Sequence, residues 1–568
     1  MLKRYLPALA WLPHYQARLF GADLLAGVIV TVMVIPQSLA YALLAGLPAV
    51  VGLYASILPQ LVYAFFGTSR TLAVGPVAIV ALMTGAALSQ IAVPGSAEYL
   101  EAALALTLLS GAILVVMGML RMGFFSNFLS HPVISGFLTA SGILIATSQL
   151  GGLLGVESSG FTLWERLASL WLHLPGISWP TLLMSVFVLG FLVGVRRYGS
   201  TLLKRLGLAA GTANLLARAG PVLAVVATTL AARQWQLEDA GVEVVGTVPG
   251  GLPPLTLPWP DLALWQTLLV PALLISLVGF VESVSMGQML AAKRRQRISP
   301  NQELVGLGVA NLAAGVSGAM PVTGGLSRTV ANFHAGAQTP AAGAFAALGI
   351  GVVTYTLTDW LYYLPIATLS AFILVSVLTL VDVATLRATW RYSRSDFTAQ
   401  ALTIGLTLAE GIEAGIIGGI AVSVALFLYR TSRPHSALIG RVPDTEHFRN
   451  VARHEVETAP GVALLRIDES LYFANARYLE DTLYNLVASR PALEDVVIVC
   501  SAVNLIDASA LESLEAINAR LRDSGVTLHL AEVKGPVMDR LNHSTFPEQL
   551  TGRVFLSTYA AWQALHDR

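Results

Sequence analysis

Charge is what this chain has least of. Asp, Glu, Lys and Arg make up 12% of its 568 residues, about half of the ~25% usual in soluble proteins. The 34 basic and 34 acidic residues cancel, so the net charge gives no reason to expect a nucleic-acid partner. There is a single cysteine, Cys500, which excludes an intramolecular disulfide framework. Catalytic constellations are lacking too. His529 and His543 have neither a metal-ligand spacing nor a nucleophile partner, so the sequence suggests no enzyme, no metal and no other cofactor.

Apolar residues take the place of charge. They account for 55% of the chain, and mean hydropathy is +0.68. From residue 24 to 429 the sequence is a series of long apolar segments, and after Arg430 it reads as ordinary soluble protein. Such a shift marks a domain boundary. The expected organisation is a cytosolic N-terminal segment over 1–23, an α-helical polytopic membrane domain over 24–432, a polar linker over 433–445 and a soluble domain over 446–568. The first residues lack a small-residue cleavage site after a short apolar core, so they read as an amphipathic lead-in and not a cleaved signal.

The few charges place the loops. Basic clusters occur at Arg196, Arg197, Lys204 and Arg205, at Lys293 to Arg297, at Arg387, Arg391 and Arg394, and at Arg430 and Arg433. Acidic or Pro/Gly-rich loops lie between them, at 98–101, 157–165 and 238–261. The positive-inside rule makes the basic loops cytoplasmic, with both termini inside and the chain a multi-pass protein of the cell (inner) membrane. A span needs ~20 apolar residues, and hydropathy supports roughly ten to twelve.

Two segments break this pattern, and they correspond. "FGTSRTLAVGPVAIVALMTG" (66–85) and "GAMPVTGGLSRTVANFHAG" (318–336) each run extended through proline and glycine into a short helical stretch, about 250 positions apart. The preceding spans match as well: 27–47 carries Gln37 at its middle and 271–290 carries Glu282. Paired Gly/Pro-interrupted segments in two halves of a membrane protein point to a transporter site. Lipid cannot satisfy free backbone groups, so irregular backbone at this depth is buried in protein or lines a water-filled cavity. A half-helix starting at mid-membrane presents unpaired N–H groups and the positive end of its dipole. Two such ends facing each other suit an anion, and Arg328 adds a full charge beside one of them. Gln37 and Tyr41 lie one helical turn apart and share a face.

These residues carry a resemblance. "IPQSLAYALLAGLP" (35–48), "LPAVVGLYASILPQLVYAFFGTSRTLAVGPVA" (47–78), "VPGGLPP" (248–254) and "PVTGGLSRTVANFHAGAQT" (321–339) resemble the sulfate permease (SulP) family of anion transporters, which includes plant sulfate transporters. The resemblance implies fourteen membrane segments in two inverted repeats of seven. A core domain (segments 1–4 and 8–11) would move against a gate domain (5–7 and 12–14), with the anion between segments 3 and 10, usually in a homodimer. Carried over by motif, the anion contacts the helix starts at Val77 and Ala78 and at Leu326, Ser327 and Arg328, with side-chain hydrogen bonds from Gln37 and Tyr41.

Glu282 is the lone carboxylate of the eighth segment. Burial disfavours its charge and a nearby arginine favours it. Uncompensated, it should pick up a proton; paired with Arg328, it should stay charged until an anion competes for the guanidinium. A doubly charged anion would then bind as Glu282 takes up a proton, and the two cross together. In sodium-dependent bicarbonate relatives an aspartate and a threonine supply oxygen ligands, and the matching positions here are Glu282 and Met286. Methionine is a poor ligand for a hard cation, which favours the proton.

After residue 446 the pattern alternates. Strands are expected at 461–467, 495–500 and 526–530, and helices at 476–486 and 508–521. This α/β layout resembles the STAS domain that ends SulP transporters, and "NLIDASALESL" (504–514) matches its loop-to-helix motif. In related bacterial regulators the position of Ser509 is phosphorylated and a glycine follows, where this chain has Ala510. Ser509 therefore reads first as a helix cap and second as a regulatory site for a partner protein. The leading expectation is proton-coupled symport of sulfate. The alternatives are a bicarbonate or C4-dicarboxylate symporter, possibly sodium-coupled, and an anion channel or exchanger.

Overall fold

A computed structural model describes residues 6–127, 130–207, 209, 213, 217, 220–258 and 261–566. Residues 1–5 of the expected lead-in lie outside the described residues. The chain divides into two compact units, Met1–Ser423 and Val424–Arg568, and the division falls within a helix, Ile412–Ser432.

The first unit is helical. Among the described residues, eight helices are long and apolar enough to cross a membrane, and two shorter apolar ones accompany them. The chain runs through α1 (Ala17–Leu44), α2 (Leu58–Phe66), the two-residue strand β1 (Val74–Gly75), the short α3 (Ala78–Leu88) and α4 (Ala97–Met119). A further span at His131–Leu154 is followed by helices α5 (Leu163–His173) and α6 (Trp179–Gly194). The opening order then recurs: a long α7 (Leu262–Lys293), α8 (Pro300–Val316), β2 (Thr323–Gly324) and a short α9 (Leu326–Ala335). Helices α10 (Ile366–Val377), α11 (Arg394–Glu410) and α12 (Ile412–Ser432) complete the unit.

At 1.5 Å per residue α3 and α9 are each about 16 Å long, half of a ~30 Å hydrocarbon core. Each therefore begins inside the bilayer, after a backbone break. The breaks satisfy each other. β1 and β2 pair antiparallel, with Val74 opposite Gly324 and Gly75 opposite Thr323. Side chains from the flanking helices take up the remaining polar groups. The Asn311 amide donates to the Val322 carbonyl at 2.8 Å and accepts from the Val322 N–H at 2.9 Å, imitating a neighbouring strand. Thr323 Oγ1 donates to the Gly279 carbonyl and Ser283 Oγ accepts from the Gly324 N–H. Asn332 donates to the Thr71 carbonyl. Non-helical backbone at this depth is stable because protein replaces the missing water.

Two buried carboxylates pin the loop that precedes β1 and the loop that follows α9. Glu303, at the start of α8, is fully buried and accepts from the Tyr63 hydroxyl (2.6 Å), the Thr68 N–H (2.7 Å) and hydroxyl (2.5 Å), and the Ser69 N–H (3.0 Å). Asp23, on α1, accepts from the Gln338 and Thr339 N–H groups and from the Thr339 hydroxyl. Removing an acceptor shared by four donors leaves each of them desolvated and unpaired. Glu303→Ala is expected to lose about 3 kcal/mol or more, read as a lower thermal unfolding midpoint of the detergent-solubilised protein. An unchanged midpoint would reject this anchoring role.

The second unit is an α/β domain. Strands β3 (Ser436–Arg441), β4 (Phe448–Asn450), β5 (Val462–Ile467), β6 (Asp495–Val499), β7 (Thr527–Ala531) and β8 (Val554–Phe555) form one sheet in the order β4-β3-β5-β6-β7-β8. β5 to β8 are parallel and β3 runs antiparallel to both its neighbours. The stretch read as linker, 433–445, thus contains a strand. Helices α13 (Ala476–Ser489) and α14 (Ala508–Asp523) cover the sheet with apolar stripes that include Leu479, Leu483, Leu514 and Ile517. The cap of α14 is Asp507 and not Ser509: its carboxylate accepts from the Ala510 N–H at 2.9 Å. Asp507 stands at the last non-helical position, where a short side chain reaches the first free N–H groups, whereas Ser509 is already in the helix and exposed.

Candidate functional site

The starts of α3 and α9 face one cavity of about 560 Å³. Neither helix has a side-chain cap, and the first intrahelical donors are Ala81 and Thr329. The N–H groups of residues 78–80 and 326–328 therefore have no intrahelical acceptor. Val77, Ala78, Leu326, Ser327 and Arg328 all line the cavity, and so do Gln37, Tyr41 and Glu282. Eight candidates drawn from four separate stretches of sequence thus meet in one place.

Arg328 is the bulkiest of the fully buried side chains. Its Nη2 donates to the Pro76 carbonyl, so the second half-helix braces the loop that leads into the first. Its Nη1 has no partner. The guanidinium packs closely against two glycines. A Cβ on Gly75 would sit 2.3 Å from Nη1, and one on Gly325 would sit 2.7 Å from Nε, so neither position accepts alanine without moving the arginine. Gly324 leaves room for Leu72 and Ser283.

Gln37 donates from Nε2 to Ser327 Oγ at 3.1 Å, tying α1 to the start of α9, and its buried Oε1 is unpartnered. Tyr41, on the same face, is 7% exposed. Glu282 Oε2 is also buried without a partner, and no ion pair joins Glu282 to Arg328. The direct pairing expected from the sequence is not formed, because the guanidinium is turned toward Pro76 and Gly75 instead. Uncompensated buried polar atoms are costly. Three of them belong to residues that line one cavity, Arg328 Nη1, Glu282 Oε2 and Gln37 Oε1, beside the helix-start N–H groups that have no intrahelical acceptor. The positive elements amount to one guanidinium and two helix N-termini worth about +0.5 each, roughly +2 together.

Sequence reading missed the opposite wall. Leu192 of α6 and Val195 just after it, with Phe372, Val375 and Val377 of α10, also line the cavity, which reaches Arg196 of the first basic cluster. These positions sit in uniformly apolar helices, and nothing local distinguishes the face that meets the site.

Similarity to known proteins agrees with this architecture. Residues 20–403 match the model of the sulfate permease family and residues 453–561 match the STAS domain. A probable sulfate transporter 4.2 of Arabidopsis thaliana is 35% identical over 94% of this chain and 79% of its own length. A probable sulfate transporter of Mycobacterium tuberculosis, MT1781, is 30% identical over 99% of this chain and 98% of its own. The structure of SLC26A9 superposes over 100% of this chain and 94% of that one with a TM-score of 0.90, at 24% identity, and so shares the fold. With helix starts, strand pair and family match on one stretch, the chain belongs to the sulfate permease family and carries a STAS domain.

Proposed function

We propose that the protein is a secondary active transporter that imports sulfate together with a proton across the cell (inner) membrane, by elevator-like movement of a core domain past a gate domain. The observation that carries this reading is the convergence of two uncapped half-helix starts, Arg328 and the unpaired Glu282 on a single cavity. A positive field of about +2 matches a dianion. A charged Glu282 in the same cavity offsets about half of that field, and a proton on Glu282 restores it. Dianion and proton therefore favour each other's binding, which is the thermodynamic content of coupling. Relatives named as sulfate transporters support sulfate as the substrate. Homodimer assembly, cytoplasmic termini and a regulatory protein docking near Ser509 belong to the same proposal and follow from the family and the positive-inside pattern.

The test is uptake of labelled sulfate, bicarbonate and succinate into proteoliposomes under imposed proton or sodium gradients. Concentrative sulfate uptake driven by an inward proton gradient is expected. Uptake that follows sodium and ignores pH overturns the proton, and preference for bicarbonate or succinate overturns sulfate.

A further inference from the structure

A second cavity, of about 340 Å³, lies at the other end of the helices that form the site. On α1, Tyr41 lines the central cavity and Leu44 the second one; on α3, Ile79 lines the central cavity and Leu82 the second. Three residues are about 4.5 Å along a helix. The two cavities thus abut the same pair of helices within a single turn. The second is lined further by Ser89, Arg166, Glu410 and Glu413. These come from the ends of segments remote from the basic loops, whereas the central cavity reaches Arg196. Together the cavities trace a route across the unit that is interrupted by about one helical turn.

Arg166, on α5, is the one cation of that second lining. Its Nε is buried without a partner, and its Nη1 reaches the Leu144 carbonyl only at 3.4 Å. The adjacent Glu165 favours its charge from a distance but forms no ion pair with it: that carboxylate accepts from the N–H groups of Phe161 and Thr162 at the start of the helix. Glu410 and Glu413 line the same space but form no ion pair with it. Burial pushes the Arg166 guanidinium down to about 10, so it is still a cation at neutral pH. A part-buried cation with one long hydrogen bond and an unpartnered, buried Nε is costly to keep unless an anion visits it.

We propose that Arg166 is the docking residue of an outer vestibule, a second site that receives the small oxyanion from the side away from the basic loops before it reaches the central cavity. This rests on the reading of the central cavity as the anion site. The guanidinium supplies the attraction and a planar fork for two oxyanion oxygens. Glu410 and Glu413 oppose the anion elsewhere in the vestibule and so confine it to the Arg166 wall.

The experiment compares sulfate KM from each face of oriented proteoliposomes. Arg166→Gln is expected to raise the KM for sulfate presented on the vestibule side about tenfold at unchanged maximal uptake; because Vmax/KM must change equally in the two directions, transport from the opposite face should lose maximal rate and keep its KM. Glu410→Gln should lower the vestibule-side KM. Raising ionic strength with a non-transported salt should slow vestibule-side uptake at low sulfate for the wild type and much less for Arg166→Gln, an effect that a purely structural arginine would not produce. Arg166→Lys, which keeps the charge and loses the fork, should fall between the two and serves if the glutamine variant does not fold. A rise in KM on the opposite face equal to that on the vestibule side, or no change from either, overturns the proposal. Arg328→Ala run alongside separates the two readings: an unaltered KM there removes the central site, whatever Arg166 does.

Discussion

Replacing Glu282 with glutamine is expected to abolish proton-driven accumulation of sulfate while sparing exchange of sulfate for sulfate. Glutamine keeps the volume of the side chain and fixes it in the uncharged form, so the favourable field of the Arg328 cavity is permanently available. The dianion then binds without needing a proton, and a proton gradient has no handle on the cycle. With the membrane potential clamped at zero, one pH unit is worth about 1.4 kcal/mol per proton, or tenfold in the accumulation ratio. Wild-type vesicles held at that gradient should approach a tenfold ratio for one coupled proton, and Glu282→Gln vesicles a ratio of one. Counterflow of labelled sulfate serves as the control for folding and binding. A variant that still concentrates sulfate under the proton gradient removes Glu282 from coupling.

Removing the guanidinium should do more damage. Arg328→Ala deletes both the unpartnered Nη1 and the Nη2 bond to the Pro76 carbonyl. A hydrogen bond to a charged group contributes about 1.5–3 kcal/mol, so losing the first alone weakens sulfate binding about 10–100-fold. Losing the second frees the loop that aims the first half-helix, and transport should fall below detection. Arg328→Lys keeps the charge without the planar fork; it cannot brace Pro76 and bind anion together, so intermediate affinity is expected. The measurement is sulfate-dependent thermal stabilisation of the purified protein, where wild type gains stability with ligand as binding to the native state requires and the alanine variant gains little. Equal stabilisation of both would place the anion elsewhere.

Much of this site was legible in the primary structure, for a simple reason. A bilayer forbids unpaired backbone, so proline and glycine pairs inside apolar segments, such as Gly75–Pro76 and Gly324–Gly325, are informative wherever they occur. The same holds for an arginine or glutamate at membrane depth. Strands β5 to β7 of the second unit were legible because alternation and buried apolar runs are local signals. Strand β3 was not, since Ser436–Arg441 lies in a polar stretch and its identity comes from pairing with β5. The cap of α14 went to Asp507 because helix boundaries depend on geometry one residue at a time, below what a motif resolves.

The sequence by itself determined that the backbone breaks twice, that each break is followed by a half-helix, and that a cation and a carboxylate accompany them. Those features are written in residue type and spacing. Tertiary structure alone decided that β1 and β2 face each other across about 250 positions, that Glu303 and Asp23 anchor loops 235 and 315 residues away, and that Phe372 and Val375 form the far wall. It also decided that Arg328 braces Pro76 and does not pair with Glu282. The physical reason is common to all four. In a chain where nearly every helix is apolar, composition says which residues avoid water, but only packing says which of them meet.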